Sequence, residues 1–181
     1  MPEEQQLDQQ NGAQPAPDSA GLQPQPAEVA AETEERVPER QYCVFRTGRE
    51  RFCLSVLDVE EVVEWPGLTR LPLAPPFLMG IFNLRGSIVP IIDIAFTEGR
   101  RADLPPKHVV VASMRHADDE ILRLGIASDE VIGTFTTSDP LLVEEAPHDV
   151  PHCCGMLRHE DRLALALDLK RLTETFPVSL I

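Results

Sequence analysis

The densest group of potentially reactive side chains in the sequence lies between residues 148 and 159, in the segment HDVPHCCGMLRH. Imidazole and thiolate are the ligands that zinc prefers, and a thiol close to an imidazole can act as a nucleophile or a redox centre. This segment is therefore one candidate for a metal-binding or redox-responsive site. The candidate residues are His148, His152, Cys153, Cys154 and His159.

The spacing within this segment does not suit a zinc site well. Cys153 and Cys154 are adjacent, whereas two thiolates that reach one metal are usually separated by two residues. On a strand, adjacent side chains also point to opposite faces. The sequence contains no G-x-S-x-G, no H-E-x-x-H and no glycine-rich phosphate loop. These motifs give no support to a catalytic residue, a cofactor or a metal, and we predict none of them. A metal- or redox-responsive β-barrel protein that uses this segment is kept as the alternative.

A second chemical feature is Arg85, which stands between two apolar runs in GIFNLRGSIVPIID, residues 80–93. A guanidinium group is rarely buried without a partner, so Arg85 is expected to reach solvent or a carboxylate. The acidic segment 58–65 offers three glutamates. An exposed, ion-paired arginine at the end of a strand would suit a docking surface. The candidate partners are Glu60, Glu61 and Glu64.

The elements that would position these side chains are mostly short apolar runs separated by turn residues, a pattern typical of an all-β domain. Segment 58–65 has a spacing that also suits a helix, but its β-branched valines favour a strand. About eight to ten strands are expected, which indicates a barrel or a pair of small barrels. The predicted strands cover 42–45, 52–56, 58–65, 87–96, 108–114, 121–127, 130–135 and 141–147, with an extended or edge segment at 68–76, and a hairpin lies within 155–172 whose last residues form a short helix.

The approach to Arg85 is predicted to be helical. Residues 76–84 have room for about two helical turns, and a glycine with positive φ at Gly86 would end them. Arg85 would then lie at a corner between this helix and the following strand. Pro90 lacks an N–H group, so that strand is predicted to be an edge strand or to be bulged at the proline.

Charge and composition restrict the classes of partner. The net charge of -14 makes binding to nucleic acid or to an anionic membrane surface unlikely on electrostatic grounds. Residues 1–40 carry nine acidic residues against two arginines, are rich in proline and glutamine, and precede the first aromatic residue, Tyr42. We predict a disordered acidic tail over 1–38 and a folded domain over 39–181. The sequence predicts no secretory signal and no membrane-inserted segment, which favours a cytoplasmic location.

The stretch FNLRGSIVPIIDI, residues 82–94, resembles the signature of the CheW-like domain, the adaptor of bacterial chemotaxis. Other segments resemble family segments in the same order, including the first hairpin, the TRLPLAPPFLMG approach, the LGIASDEVIG pair and the closing GMLRHEDRLALALDL. The resemblance spans about residues 41–172. It implies an all-β fold of two small SH3-like five-stranded barrels on a shared core, with one or two short helices and no catalytic activity.

The resemblance also implies partners and site residues. The expected partners are the regulatory domain of a CheA-type histidine kinase and the cytoplasmic hairpin tip of chemoreceptors, so the protein would be recruited to receptor arrays at the membrane. Arg85 and Glu61 match a charged pair near the receptor groove of the family, and Val59 matches a neighbouring apolar contact. The residues that match the corner shaping this groove are Asn83, Leu84 and Gly86.

Overall fold

A computed structural model describes residues 38–95, 105–115, 121–142, 147 and 150–177. The described part is rich in β-strands, as predicted, and includes a 3₁₀ turn at Val56–Asp58. The strands are β1 Arg40–Thr47, β2 Glu50–Ser55, β3 Val59–Glu64, β4 Leu78–Leu84, β5 Ser87–Ile92, β6 His108–Arg115, β7 Ile121–Ser128, β8 Glu130–Thr137, β9 Cys153–His159 and β10 Arg162–Leu167, and the helix is α1 Leu169–Thr175.

The ten strands form two five-stranded sheets. Sheet A has the order β8-β1-β2-β10-β9, and sheet B has the order β3-β6-β7-β5-β4. Each sheet contains one parallel pair, β2 with β10 in sheet A and β5 with β7 in sheet B, and its other pairs are antiparallel. The prediction of two five-stranded units is therefore confirmed.

Both sheets contribute to one shared apolar core. Phe45 and Leu54 from sheet A and Val110 and Ile126 from sheet B are completely buried in the same cluster. A smaller cluster lies within each sheet's own half, around Val89 in sheet B and around Val44, Cys53 and Leu157 in sheet A. Because apolar burial dominates folding energetics, the shared cluster is the main contact that joins the two sheets.

A polar network also joins the sheets where the chain passes from β7 to β8. The buried carboxylate of Asp129 accepts hydrogen bonds from the Arg46 guanidinium, at 3.1 Å, and from the Gly48 backbone N–H, at 2.8 Å. The Asp129 backbone N–H donates to the Arg46 carbonyl, and the Thr47 hydroxyl donates to the Ala127 carbonyl. The β1–β2 turn of sheet A is thereby attached to the end of sheet B.

The helix predicted over residues 76–84 is wrong, because Leu78–Leu84 of this segment form strand β4. Its burial alternates with a period of two, with Leu78, Gly80, Phe82 and Leu84 buried and Asn83 exposed. That period is the signature of a strand with one buried face. In the sequence it is hidden because the side chains on both faces, except Gly80 and Asn83, are large and apolar.

Strand β5, which contains Pro90, is not an edge strand. It lies between β4 and β7, and its pairing with β7 begins only at Ile91. Pro90 is opposite Ile81 of β4, ahead of that parallel ladder. The missing N–H of Pro90 is tolerated because the hydrogen-bonded ladder between β5 and β7 starts one residue later, at Ile91.

The remaining element predictions have mixed outcomes. Residues 59–64 form a strand and not a helix, as preferred, and the hairpin within 155–172 and its terminal helix are confirmed. Within 68–76 only Thr69 pairs, forming an isolated bridge with Ile81. The predicted strand 141–147 lies largely outside the described residues, as does the predicted tail 1–38, except for Pro38.

Candidate functional site

Arg85 lies in the tight turn that joins β4 to β5. Leu84 pairs with Ser87, so the connection has two residues, Arg85 and Gly86, with φ angles of 50° and 93°. Two central residues with positive φ are the pattern of a type I′ hairpin turn. The Asn83 side-chain oxygen accepts a hydrogen bond from the Gly86 N–H at 2.7 Å, which stabilises this turn. The predicted helix–glycine–strand corner is thus a β-hairpin turn, although the positive φ at Gly86 is as predicted.

The turn presents Arg85 to a carboxylate of β3. An Nη atom of Arg85 lies 2.8 Å from an Oε atom of Glu61, and the Arg85 side chain remains 81% exposed while that of Glu61 is 21% exposed. Of the three predicted carboxylates, Glu61 is the one that pairs with Arg85. A pair this exposed contributes about 0–1 kcal/mol to stability. The Arg85–Glu61 ion pair therefore adds little to the stability of the fold, and both side chains are available for contacts with a partner.

Two other predicted site residues, Leu84 and Val59, have different surroundings. Leu84 is buried in the apolar cluster of sheet B, where it anchors the turn. Val59, the first residue of β3, is half-buried and packs against the shared core. Leu84 therefore fixes the turn from inside, whereas Val59 lies close to the surface on the strand that also carries Glu61.

An apolar groove lies next to the turn, and the sequence reasoning did not find it. It has a volume of about 470 Å³, and Ile88 and Ile121 in it are 60% and 50% exposed. Exposed apolar side chains grouped in this way mark interaction surfaces. The groove is lined by Ile81, Ser87, Ile88, Pro90, Ile121, Leu122 and Arg123.

A period-two pattern in the sequence could have revealed this groove. Ile88 and Pro90 project from the same face of β5 as Ile92, which is buried in the shared core. On the parallel neighbour β7, Leu122 has the same relation to the buried Leu124. The apolar face of the core thus continues along both strands to the surface.

A second ion pair was also missed. Glu60, considered above as a partner for Arg85, instead pairs with Arg123 of β7, whose Nε lies 3.0 and 2.8 Å from the two carboxylate oxygens. The two side chains are 32% and 29% exposed. Consecutive glutamates of β3 therefore each bind a different arginine near the groove.

The cysteine and histidine cluster is not arranged as a shared ligand set in the described residues. Cys153 packs into the shared core, whereas Cys154 packs against the separate cluster of sheet A, as strand alternation predicts. Burial raises the pKa of Cys153 to about 12 and also raises the pKa of Cys154. A thiol with a raised pKa is a poor nucleophile and metal ligand.

The histidines of this cluster have structural surroundings. His152 is completely buried, its ring centroid lies 5.4 Å from that of Phe176, and burial lowers its pKa to about 4. The ring centroid of His159 lies 4.7 Å from that of Phe135, with the two ring planes tilted by 53°, and His148 lies outside the described residues. In the part of the chain that the structure describes, no group of three or more His, Cys, Asp or Glu side chains could hold a metal ion.

The described residues also contain no helix with the length and apolar character needed to span a membrane. The exposed polar features around the groove are two ion pairs carried by the strands and a turn of sheet B. An all-β domain with such ion pairs beside an apolar groove offers a surface that a partner can contact. Comparison with known proteins identifies which interaction domain it is.

A family model described as "CheW-like domain" matches residues 41–176, so the chain belongs to the CheW-like domain family. It is 30% identical over 140 residues to the probable chemotaxis protein CheW of Rhizobium etli, covering 74% of this chain and 87% of that protein. It is 37% identical over 139 residues to the chemotaxis protein CheW of Treponema pallidum, covering 73% and 81%.

The same fold occurs in a solved structure. The crystal structure of a scaffolding protein CheW from Thermoanaerobacter tengcongensis matches with a TM-score of 0.63 at 22% identity, covering 75% of this chain and 88% of that one. This match confirms the fold of two SH3-like barrels. Family membership places the chain among the non-enzymatic scaffold proteins of chemotaxis, in agreement with the prediction that it is not an enzyme.

Proposed function

We propose that this protein is an adaptor that couples the cytoplasmic hairpin tips of chemoreceptors to a CheA-type histidine kinase. The observation that carries the proposal is the exposed Arg85–Glu61 ion pair beside an apolar groove, on a chain of the CheW-like family. The adaptor would work in the cytoplasm and be recruited to receptor arrays at the membrane.

The receptor would bind at Arg85, Glu61 and Val59 and extend over the groove. A hairpin tip is made of helices, and an amphipathic helix that docks on a protein buries an apolar stripe in a groove while its polar flanks contact the rim. Ile88 and Ile121 offer the apolar surface, and Arg85 offers a largely exposed cation at one end. Asn83 and Gly86 would act indirectly, by holding the turn that carries Arg85.

The kinase regulatory domain would bind a different surface, because an adaptor must hold both partners together. The resemblance to the family implies that this domain has a similar fold. Edge strands suit contacts between similar β-domains, since their backbone groups can be matched by a partner strand. Among the described residues, β8 at one edge of sheet A pairs only with β1.

The proposal predicts that Arg85→Ala separates the two binding activities. Binding of the receptor hairpin fragment should weaken by at least about tenfold, equivalent to about 1.4 kcal/mol, because a rim cation is lost. Binding of the kinase regulatory domain should stay the same. Both affinities can be measured by calorimetric titration of the full chain.

Arg158→Ala is a suitable control, because Arg158 is an exposed arginine on β9 of the other sheet. It should leave receptor binding unchanged. The thermal melting curve of Arg85→Ala should match that of the wild type, since its ion pair is exposed. Undiminished receptor affinity in a folded Arg85→Ala variant would rule out the assigned site.

A further inference from the structure

The second ion pair, Arg123–Glu60, lies where a partner bound in the groove would contact it. Arg123 lines the groove together with Ile81, Ile88, Pro90 and Ile121. Its side chain is 29% exposed, so it is neither solvated freely nor buried in the core. A cation in this position meets any partner that covers the apolar floor.

The local structure of β3 explains how two consecutive glutamates reach two arginines. Val59 is opposite Ala112 and Glu61 is opposite Val111, so Glu60 has no residue opposite it and forms a bulge. In a regular strand Glu60 and Glu61 would point to opposite faces. A bulge redirects a side chain and occurs often at functional positions.

Glu60 holds Arg123 in a way that leaves most of the guanidinium available. Both carboxylate oxygens of Glu60 accept from the Nε atom of Arg123, at 3.0 and 2.8 Å. A guanidinium has five N–H donors, four of them on the two Nη atoms. Among the residues that the structure describes, these Nη atoms make no hydrogen bond or ion pair, so they can donate to a bound partner.

The polar group in the groove lining favours a partner with a carboxylate. Arg123 is the one charged residue among those that line the groove. Glu60 and Glu61 balance the charges of Arg123 and Arg85, so what the groove offers is a set of guanidinium donors beside apolar walls and not a basic patch. Such donors complement an apolar helix with a nearby carboxylate.

We propose that Arg123, positioned by Glu60, is a specificity-determining residue that selects a helical partner carrying a carboxylate beside its apolar stripe. Arginine suits this role because its planar donors can bind a carboxylate in a bidentate manner. Glu60 is the positioning residue, since a restrained guanidinium loses less conformational entropy on binding. This inference rests on the proposed function, because it assigns the groove to the receptor hairpin.

The test uses the full chain and a cytoplasmic hairpin fragment of a chemoreceptor from the same cell. Arg123→Gln should weaken hairpin binding about tenfold, and Glu60→Gln should weaken it by a smaller factor. Arg158→Gln, on sheet A, should have no effect. Arg123→Lys, which keeps the charge and loses the planar donors, should bind with intermediate affinity.

A charge exchange separates recognition from a structural effect. Each acidic residue of the hairpin is replaced in turn by lysine, and the fragments are titrated against the wild type and Arg123→Glu. One such fragment should bind Arg123→Glu better than it binds the wild type. A merely structural role for Arg123 would give no such rescue.

The outcomes distinguish this inference from the proposed function. Loss of binding with Arg85→Ala but not with folded Arg123→Gln overturns the inference and leaves the receptor site intact. Absence of rescue with every hairpin fragment also overturns it. Failure of the wild type to bind any receptor hairpin overturns both.

Discussion

At the scale of single residues, the chemistry of this protein depends on which polar side chains are exposed and which are buried. Arg85 and Glu61 are conspicuous in sequence as charges beside apolar runs, and the structure brings them within 2.8 Å. The need of an exposed arginine for a carboxylate left Glu60, Glu61 and Glu64 as candidates, and the resemblance to the CheW-like family singled out Glu61. Arg123 and Glu60 were not predicted as a pair. Their contact depends on a bulge in β3, and no glycine or other turn residue in the sequence marks its position.

His152 is buried between aromatic rings, and neither of its ring nitrogens is hydrogen-bonded to described residues. Its pKa falls from 6.5 to about 4 because burial disfavours the charged form. The unfolded chain therefore binds a proton below about pH 6.5 that the folded protein does not bind until about pH 4. Within this window stability must rise with pH.

We predict that protonation of unfolded His152 costs the wild type about 2 kcal/mol of unfolding free energy between about pH 7.5 and about pH 5. His152→Leu should be more stable than the wild type and should lose this part of the pH dependence. His152→Gln, which stays polar but does not titrate, is the matched control for the titration. Urea unfolding at the two pH values measures the effect, and equal pH slopes in all three proteins would refute it.

At the scale of elements, local sequence signals predicted most strands and failed where tertiary packing decides. The first hairpin and the β9–β10 hairpin have turn residues between apolar runs and were predicted correctly. A helix was predicted over residues 76–84 because the segment has room for about two helical turns before Gly86, and its large apolar side chains hide the period of a strand. The buried Gly80, with a φ of 152° and space limited by the Thr69 carbonyl, fits the strand that the structure shows.

The junction of the β1–β2 turn with the β7–β8 connection also depends on long-range contacts. Asp129 is only 2% exposed, and its carboxylate binds both Arg46 and the Gly48 N–H. Asp129→Ala would leave these donors without their partner, so it should lower the unfolding free energy by roughly 2–3 kcal/mol.

Glu130 provides a control, because it contacts the same Arg46 while remaining 60% exposed. Glu130→Ala should change stability by less than about 0.5 kcal/mol. Chemical denaturation of both variants at neutral pH measures the difference. Equal stability losses in the two variants would show that burial of Asp129 does not determine the strength of this junction.

At the scale of the whole molecule, the fold was predictable because segments of the chain resemble those of a known family in the same order. The order of the strands within each sheet could not be derived from the residues alone. The resemblance implied two barrels and a shared core, and the structure and the match to a solved scaffolding protein confirm them. The groove was not predicted, because β5 and β7, which form it, are distant in sequence. The apolar face that both strands bury in the core continues along them to the surface, and this is visible only once the two strands are known to be neighbours. The disordered tail over residues 1–38 stays a prediction.

The central claim is that this one chain holds a receptor and a kinase together, and a bridging measurement tests it most directly. Vesicles that display a chemoreceptor cytoplasmic hairpin are sedimented with the regulatory domain of the CheA-type kinase from the same cell, with and without the full chain. We predict that the kinase domain sediments only when the chain is present, and that Arg85→Ala reduces the sedimented fraction. A kinase domain that stays in the supernatant with the chain present, or that sediments equally without it, would contradict the adaptor function.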